Sequence, residues 1–280
     1  MEPTEAAPVA VPVAALSTSA MAGCLALSRE AGWNQAEADW RLFFEGGTVF
    51  GIGGDRPVAT GAVLPYREGG FAWIGMVLVT ASMRGRGLGT RILRHGLALL
   101  EEAGLLPVLD ATPAGARIYR PLGFVAQLGL TRWRGPAGGE APVGPRPAAA
   151  GDLSAMASLD AAAFGAARPT VLRELLRRAP ALGFVGDNGF VLGRDGARAT
   201  QIGPLVAPDE AAALPLLQSA LAQARGEVII DLADRCTGLA DALRARGFAP
   251  ERPYTRMALG HAEPFGDPSR LMAVAGPELG

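Results

Sequence analysis

Residues 74–90 of the chain are IGMVLVTASMRGRGLGT, and this stretch decides the fold. Residues 74–79 form an apolar run that predicts a buried strand, and residues 90–104 predict a helix. Between them lies a glycine-rich loop, which lets backbone N–H groups approach an anion. The N–H groups of the first helical turn carry partial positive charge, and Arg84 and Arg86 add full charges. The stretch therefore predicts a phosphate-binding site.

A second signal lies further along the chain. Residues 106–110 predict another apolar strand, and the motif YRPLGF follows at residues 119–124. The order of these elements resembles the GNAT superfamily of CoA-dependent N-acetyltransferases. It is a strand, an R-x-x-G-x-G loop, a helix, a second strand and the motif Y-x-x-x-G-F. The resemblance implies a mixed α/β fold, in which a central mixed β-sheet is flanked by helices. Its specific part is residues 77–124.

The same resemblance implies that acetyl-CoA is the co-substrate. The loop would hold the pyrophosphate, and the pantetheine arm would lie along the strand backbone, where an N–H group faces the thioester carbonyl. The implied acetyl-CoA-binding residues are Val77, Leu78, Val79, Arg84, Gly85, Arg86, Gly87, Leu88, Gly89 and Thr90.

Tyr119 is the implied catalytic residue, because the family often places a tyrosine near the sulfur of CoA. A phenol with a pKa of about 10 is protonated at neutral pH and can protonate the departing thiolate. The alternative is a tyrosine that only packs a helix against the sheet. No general base is evident, since Asp110, Asp160 and the other carboxylates suit helix caps or surface charges equally well, and solvent can also serve.

The resemblance further implies that the first two helices and their joint form a wall of the acceptor pocket. Trp33, Asn34 and Glu45 are therefore candidate acceptor-binding residues, and Asp231 is a fourth candidate. The alternative for Trp33, as for Trp40, is a place in the hydrophobic core.

The second half of the sequence repeats the first. Residues 202–206, IGPLV, echo residues 74–78, and residues 243–248, LRARGF, echo YRPLGF. This predicts two GNAT-like domains in tandem. They are an acetyltransferase domain at 1–135, a linker at 136–147 and a divergent GNAT-like domain at 148–280. The second copy has Asp209 and Glu210 where the first has arginines and glycines, so we expect it to bind no CoA.

The composition excludes several classes of function. Among 280 residues there is no lysine and there are only two cysteines and two histidines, so lysine Schiff-base chemistry is excluded and no metal site is expected. A net charge of −1 gives no case for binding nucleic acid or an anionic membrane. With no basic leader and no apolar run of ~18 residues, we expect a cytoplasmic protein. The sequence carries no signal for an oligomeric state.

Two functions from different classes follow. The first is an acetyl-CoA-dependent N-acetyltransferase that acts on a primary amine of a small molecule or peptide by direct attack. The second is a non-catalytic acyl-CoA-binding or interaction module. Tyr119 and an acceptor groove distinguish them, because a binding module needs neither. A third, less favoured interpretation makes the second half the active transferase, and its lack of the glycine loop argues against this.

Overall fold

A mixed sheet of thirteen strands runs through residues 12–280, the part of the chain that this computed structural model describes. The strands of the first half are β1 (Ala14–Ala15), β2 (Thr48–Ile52), β3 (Ala59–Tyr66), β4 (Phe71–Val79), β5 (Leu106–Ala111) and β6 (Phe124–Pro136). Its helices are α1 (Met21–Glu30), α2 (Glu37–Gly46), α3 (Leu88–Glu102) and α4 (Pro113–Tyr119).

The second half supplies the remaining elements in a similar order. Its strands are β7 (Arg146–Pro147), β8 (Phe184–Gly186), β9 (Gly189–Asp195), β10 (Thr200–Val206), β11 (Glu227–Ala233), β12 (Ala249–Leu259) and β13 (Leu271–Ala273). Its helices are α5 (Leu153–Phe164), α6 (Pro169–Arg178), α7 (Glu210–Gln223) and α8 (Thr237–Ala245). None of the helices in the described part is long and apolar enough to cross a membrane.

The two halves are joined by exchanged strands. β5 pairs with β4 on one side and with β12, from the second half, on the other. In return β6, from the first half, pairs with β11 and also with β12. The order across the sheet is β1-β2-β3-β4-β5-β12-β6-β11-β13-β10-β9-β8-β7. Each half therefore completes the sheet of the other with the strand that follows its Gly-Phe pair.

β4 and α3 form where the apolar patterns predict them. Seven of the nine residues of β4 are buried, and a continuous apolar run of this kind is typical of a strand covered on both faces. α3 packs one face on β3 and β4. The buried residues of that face recur at helical spacing and are Leu88, Ile92, Leu93, Gly96 and Leu100.

One hydrophobic core crosses the boundary between the halves. The rings of Phe71 and Trp73, on β4, pack against Phe164 of α5 with centroid distances of 5.4 and 5.8 Å. These residues belong to a single buried cluster that includes side chains from nearly every element of the second half. This cluster therefore joins the two halves, while a second buried cluster, around α3, is formed by the first half together with Met257 of β12.

The segment that follows β13, residues 274–280, runs through this shared core and is called the tail below. The indole N–H of Trp73 donates a hydrogen bond to the Pro277 carbonyl (2.9 Å), and the Tyr66 hydroxyl donates to the Leu279 carbonyl (3.2 Å). The tail therefore belongs to the second half by sequence and contacts the first half directly.

Two segments predicted from the sequence differ in detail. The alternating pattern of residues 9–16 predicts a first strand. Residues 9–11 lie outside the described residues, and in the rest of this stretch the structure shows β1 alone. The expected linker at 136–147 is not a free connection. It includes β7, and the Gly138 N–H donates to the Leu221 carbonyl of α7 (2.9 Å).

Candidate active site

A cleft opens where β4 and β5 separate. Their parallel pairing covers only residues 71–73 and 106–108. Further along, β4 shifts register against β3, and Met76 adopts φ +54°. The Thr60 hydroxyl donates to the Met76 carbonyl (3.0 Å), which holds this bulge in place. Residues 74–79 consequently present to the cleft a backbone edge that β5 does not pair with.

The loop at residues 84–90 connects β4 to α3 and brings N–H groups to the mouth of the cleft. Gly85 and Gly87 have φ +75° and +73°, values that favour glycine because a Cβ would be strained there. Gly87 is the N-cap residue of α3, so the helix start has no side-chain cap in this part of the structure. Arg84 and Arg86 are exposed beside it. Uncapped N–H groups and positive charge together suit an anion.

Glu30, at the end of α1, holds the junction between β4 and this loop. Its carboxylate accepts hydrogen bonds from the Ala81 N–H (2.6 Å) and the Thr80 hydroxyl (2.8 Å). These hydrogen bonds, that of Ala81 foremost, lower the pKa of Glu30. On the other side the Arg84 Nε donates to the Val79 carbonyl (3.1 Å). The loop is therefore exposed but fixed where it leaves the strand.

A cavity of about 140 Å³ continues from the cleft. Both separated strands and both halves of the chain line it. The lining residues are Trp33, Asn34, Gln35, Ile74, Gly75, Met76, Val77, Leu109, Asp110, Thr112, Tyr119, Arg132, Arg252, Tyr254, Pro277 and Glu278. Because the unpaired edge of β4 lies in this wall, the cleft and the cavity form one continuous space.

Tyr119 reaches the cavity from the end of α4. Thr112 caps that helix by accepting a hydrogen bond from the Gly115 N–H (3.1 Å). The tyrosine ring packs against Phe124 at a centroid distance of 5.7 Å, and burial raises the pKa of its phenol. The phenol is therefore protonated throughout the neutral range and can donate a proton.

The carboxylate of Asp110, in the cavity wall, is paired with an arginine. It accepts two hydrogen bonds from Arg256, at 3.0 Å each. Burial is the largest influence and raises the pKa of Asp110, although Arg256 opposes the shift. The sequence suggested a cap or surface charge here, and the structure instead shows a buried ion pair between β5 and the exchanged strand β12.

Of the four predicted acceptor-binding residues, Trp33 and Asn34 lie in the cavity wall. The side chain of Asn34 is occupied by backbone groups of the β9–β10 hairpin. Its Oδ1 accepts from the N–H groups of Arg198 and Ala199, both at 2.9 Å, and its Nδ2 donates to the Ala199 carbonyl (3.1 Å). Asn34 therefore clamps the second half onto the first and has little left with which to bind an acceptor.

The structure places Glu45 and Asp231 outside the cavity wall. Glu45 lies at the far end of α2, in an exposed groove between α2 and α6, because the helix carries it away from the joint at Trp33. Asp231 is fully buried on β11. It accepts two hydrogen bonds from Arg132 (2.7 Å each) and one from Gln201 (2.8 Å). Asp231 acts on the site only by holding Arg132.

Besides Gln35 and Thr112, four charged or polar wall residues were not predicted from the sequence. They are Arg132 on β6, Arg252 and Tyr254 on β12, and Glu278 in the tail. All four lie on an exchanged strand or on the tail. A repeat pattern along the chain reveals neither the exchange of strands nor the course of the tail. No group of three or more histidine, cysteine, aspartate or glutamate side chains within residues 12–280 is placed to hold a metal ion.

The equivalent cleft of the second half is closed by the chain itself. β10 and β11 pair in parallel only over residues 200–202 and 228–230. Where they separate, β13 lies between them and pairs antiparallel with both. At the start of α7, Asp209 accepts from the Ala212 N–H (2.8 Å), and Glu210 accepts from the Leu239 N–H of α8 (2.6 Å). Carboxylates thus occupy the helix starts.

Comparison with known protein families gives the same division of the chain. A model of the acetyltransferase (GNAT) family matches residues 20–124, and a model of the acetyltransferase (GNAT) domain matches residues 156–273. The chain belongs to the GNAT acetyltransferases and is of the tandem form, with two GNAT domains. This confirms the family and the mixed α/β fold that the sequence predicts.

Solved structures show the same fold over the whole chain. A Pyrococcus horikoshii protein regarded as an acetyltransferase is 20% identical, covers 100% of this chain and 99% of its own, and gives a TM-score of 0.80. A tandem GNAT protein from the clavulanic acid biosynthesis pathway is 15% identical, with 88% of this chain and 97% of its own covered and a TM-score of 0.60. Identities this low establish the fold alone.

One curated protein is similar in sequence over a shorter stretch. The probable glucosamine 6-phosphate N-acetyltransferase 2 of Oryza sativa subsp. japonica is 38% identical over 76 residues, which are 25% of this chain and 46% of that protein. The match thus spans about half the length of the relative.

Proposed function

We propose that the chain is an acetyl-CoA-dependent N-acetyltransferase, with its chemistry in the first half, that transfers an acetyl group to a primary amine by direct attack. One observation carries the proposal. The unpaired edge of β4 runs from the uncapped start of α3 to a cavity that contains Tyr119. This order of features fits a CoA thioester whose acetyl end enters the cavity. The features are a phosphate site, a strand edge and an enclosed acceptor space.

The residues present fit acetyl-CoA along its whole length. The N–H groups of Gly87, Leu88, Gly89 and Thr90, with the Arg84 and Arg86 guanidinium groups, would hold the pyrophosphate. Residues 77–79 would pair with the pantetheine amides as an added strand does. A backbone N–H of that edge would stabilise the oxyanion that forms on the thioester carbonyl. All of these groups lie on one side of the open cleft.

The reaction balances with the groups in the cavity. The acceptor first loses one proton from its ammonium to solvent, and the nitrogen lone pair then attacks the thioester carbonyl carbon. A C–N bond forms, the C–S bond breaks, and the CoA sulfur leaves with the electron pair. Tyr119 donates its proton to that sulfur and regains one from the nitrogen, through solvent. The products are the acetylated amine and CoA-SH.

An acyl-CoA-binding module without activity is the competing function. The cavity favours the enzyme, because it provides a polar, partly enclosed space beyond the cleft that cofactor binding alone does not require. The comparison with an amino-sugar acetyltransferase points the same way over the matched stretch.

The replacement Tyr119→Phe tests the proposal. Phenylalanine keeps the ring contact with Phe124 and removes the proton donor. We expect turnover to fall by roughly 10²–10⁴-fold, the usual contribution of a general acid, while calorimetry shows an unchanged affinity for acetyl-CoA. CoA-SH release measured over a panel of amines supplies the rates. Burial raises the pKa of Tyr119 above its ordinary value of about 10, so the phenol should stay protonated below pH 10. Wild-type turnover should therefore not fall below pH 10 through deprotonation of Tyr119.

Two outcomes would contradict this account. Equal turnover of Tyr119→Phe and wild type at every pH would make Tyr119 a packing residue. If the wild-type chain binds acetyl-CoA and no amine in the panel releases CoA-SH above background, the binding module is the better description.

A further inference from the structure

Glu278 lines the cavity, and one oxygen of its buried carboxylate has no hydrogen-bond partner in the described structure. The residue is 3% exposed, and its main chain lies against β4, with the carbonyl oxygen 3.2 Å from the point where a Cβ of Gly75 would stand. The Arg194 guanidinium donates a hydrogen bond to Oε1. Oε2 has no hydrogen-bond partner among the described residues, although it is buried. A buried carboxylate oxygen left unpaired is costly, so this one is suited to a donor from a ligand.

Gln35 is a second wall residue of the same kind. It is 7% exposed, and its Oε1 is buried without a hydrogen-bond partner in residues 12–280. Two acceptor oxygens in one small cavity suit a group with several N–H donors. An ammonium group has three.

Arg252 supplies the opposite charge. Its Nε is buried and lacks a partner in the described structure, and no carboxylate there forms an ion pair with its guanidinium. Arg132, in the same wall, differs because Asp231 holds it by two hydrogen bonds of 2.7 Å. Both guanidinium groups lie 5.3 Å from the ring centroid of Tyr254, which confines them to this wall. An unpaired, partly buried guanidinium suits a carboxylate or a phosphate, both of which it can bind through two N–H groups.

The remaining charges of the wall are already neutralised. Asp110 pairs with Arg256, and Arg132 pairs with Asp231. Glu278 is also in an ion pair, with Arg194, but through one oxygen only. The groups of the wall without a hydrogen-bond partner in the described structure are therefore the second oxygen of Glu278, the amide oxygen of Gln35 and the Nε of Arg252.

We propose that the acceptor is a small zwitterion, a primary amine that also carries a carboxylate or a phosphate. Its ammonium donates to Glu278 Oε2 and Gln35 Oε1, and its anionic group accepts from Arg252. The inference rests on the proposed function, since it describes the acceptor of that reaction. The cavity volume of about 140 Å³ limits the part of the acceptor inside it to about the size of an amino acid.

Matched pairs of acceptors test the proposal in the full chain. Each α-amino acid of a panel is paired with the amine that lacks its carboxylate, and glucosamine 6-phosphate is paired with glucosamine. We measure kcat/KM for CoA-SH release with wild type, Glu278→Gln and Arg252→Gln. Arg134→Gln serves as the control, because it removes an arginine that faces solvent on β6 and pairs with Glu227 and Glu251.

We expect the anionic member of at least one pair to be preferred by roughly 10- to 100-fold, the range for a hydrogen bond to a charged group. Arg252→Gln should remove that preference by raising KM for the anionic member, with the rate for its partner unchanged. Glu278→Gln should raise KM for both members, since both carry the ammonium. The carboxylate pairs and the phosphate pair separate the two possible anions, and Arg134→Gln should behave as wild type.

The results that would overturn the proposal are equally specific. They are the absence of any preference for the anionic member in every pair, or an Arg252→Gln variant that slows both members alike. Calorimetry with acetyl-CoA, performed first, separates the two hypotheses. A chain that fails to bind acetyl-CoA refutes the proposed function and this inference with it. A chain that binds acetyl-CoA and acetylates amines without regard to their anionic group refutes this inference alone.

Discussion

Replacing Gly85 and Gly87 together by alanine should weaken acetyl-CoA binding and leave the fold intact. Both glycines adopt left-handed φ values, +75° and +73°. A Cβ at either position would meet no atom within 4 Å, so crowding adds nothing to the effect. The cost is conformational, and it falls on an exposed loop whose backbone N–H groups point at the proposed pyrophosphate site. The loop can relieve the strain by turning those N–H groups away.

The size of the effect follows from the backbone conformation. A left-handed residue other than glycine costs about 1–2 kcal/mol, so two cost about 2–4 kcal/mol. If the loop relaxes in the free protein, acetyl-CoA must restore the strained form. The dissociation constant should then rise by roughly 30- to 700-fold, at about 1.4 kcal/mol for each factor of ten. Gly89 differs, because its φ is not left-handed and its Cβ would lie 3.8 Å from Val79 Cγ2. Gly89→Ala should therefore change the affinity less than tenfold.

Isothermal titration with acetyl-CoA measures these affinities, and thermal unfolding checks that the variants are folded. Gly54 and Gly104 provide a matched control. They have φ +58° and +65°, a Cβ on either would likewise meet no atom within 4 Å, and they lie in turns away from the cleft. Gly54→Ala/Gly104→Ala should lose comparable stability and keep the wild-type affinity. The reasoning fails if the Gly85/Gly87 variant binds within threefold of wild type, or if the control weakens binding equally.

Two further predictions concern the second half and the cysteines. Calorimetry of the full chain should give a stoichiometry of one acetyl-CoA per chain. The reason is that β13 fills the cleft between β10 and β11, and the Glu210 carboxylate occupies the N-terminus of α8. A stoichiometry of two would refute this prediction. Cys24 and Cys236 should resist iodoacetamide at pH 8 in the folded chain and react after denaturation, because burial raises the pKa of their thiols to about 12 and about 11. Mass spectrometry counts the adducts, and rapid labelling of either cysteine in the native chain would contradict the result.

The fold and the local geometry of the cleft were largely predictable from the sequence. The apolar run of β4, the left-handed glycines and the amphipathic α3 are local signals, because each depends on residues within a few positions of one another. The repeat of these signals in order was enough to predict a second GNAT-like half. The family comparisons confirm the family and the fold class.

The acceptor site was less predictable, because it is assembled from residues far apart in the sequence. Glu45 was a candidate because the resemblance implies that the first two helices form a wall of the acceptor pocket, but it lies at the end of α2 that is far from Trp33. The repeat pattern ends at the Gly-Phe pair that precedes β12. It does not indicate that β12 pairs with β5 of the other half, and so Arg252 and Tyr254 could not be placed. Exchange between two similar sheets leaves the local pattern of each strand unchanged.

The tail connects the sequence divergence of the second half to the proposed chemistry of the first half. The equivalent glycines of β4 and β10, Gly75 and Gly203, are both covered by this part of the chain, Gly203 by the Val274 carbonyl and Gly75 by Glu278. The cleft of the second half holds β13, which pairs with both β10 and β11. That pairing fixes where the tail begins, and the Trp73 and Tyr66 hydrogen bonds fix where it runs. The carboxylate of Glu278 in the tail has one oxygen without a hydrogen-bond partner in the described structure, since Arg194 engages only the other. The second half therefore contributes to the proposed reaction through a tail that its own cleft holds in place.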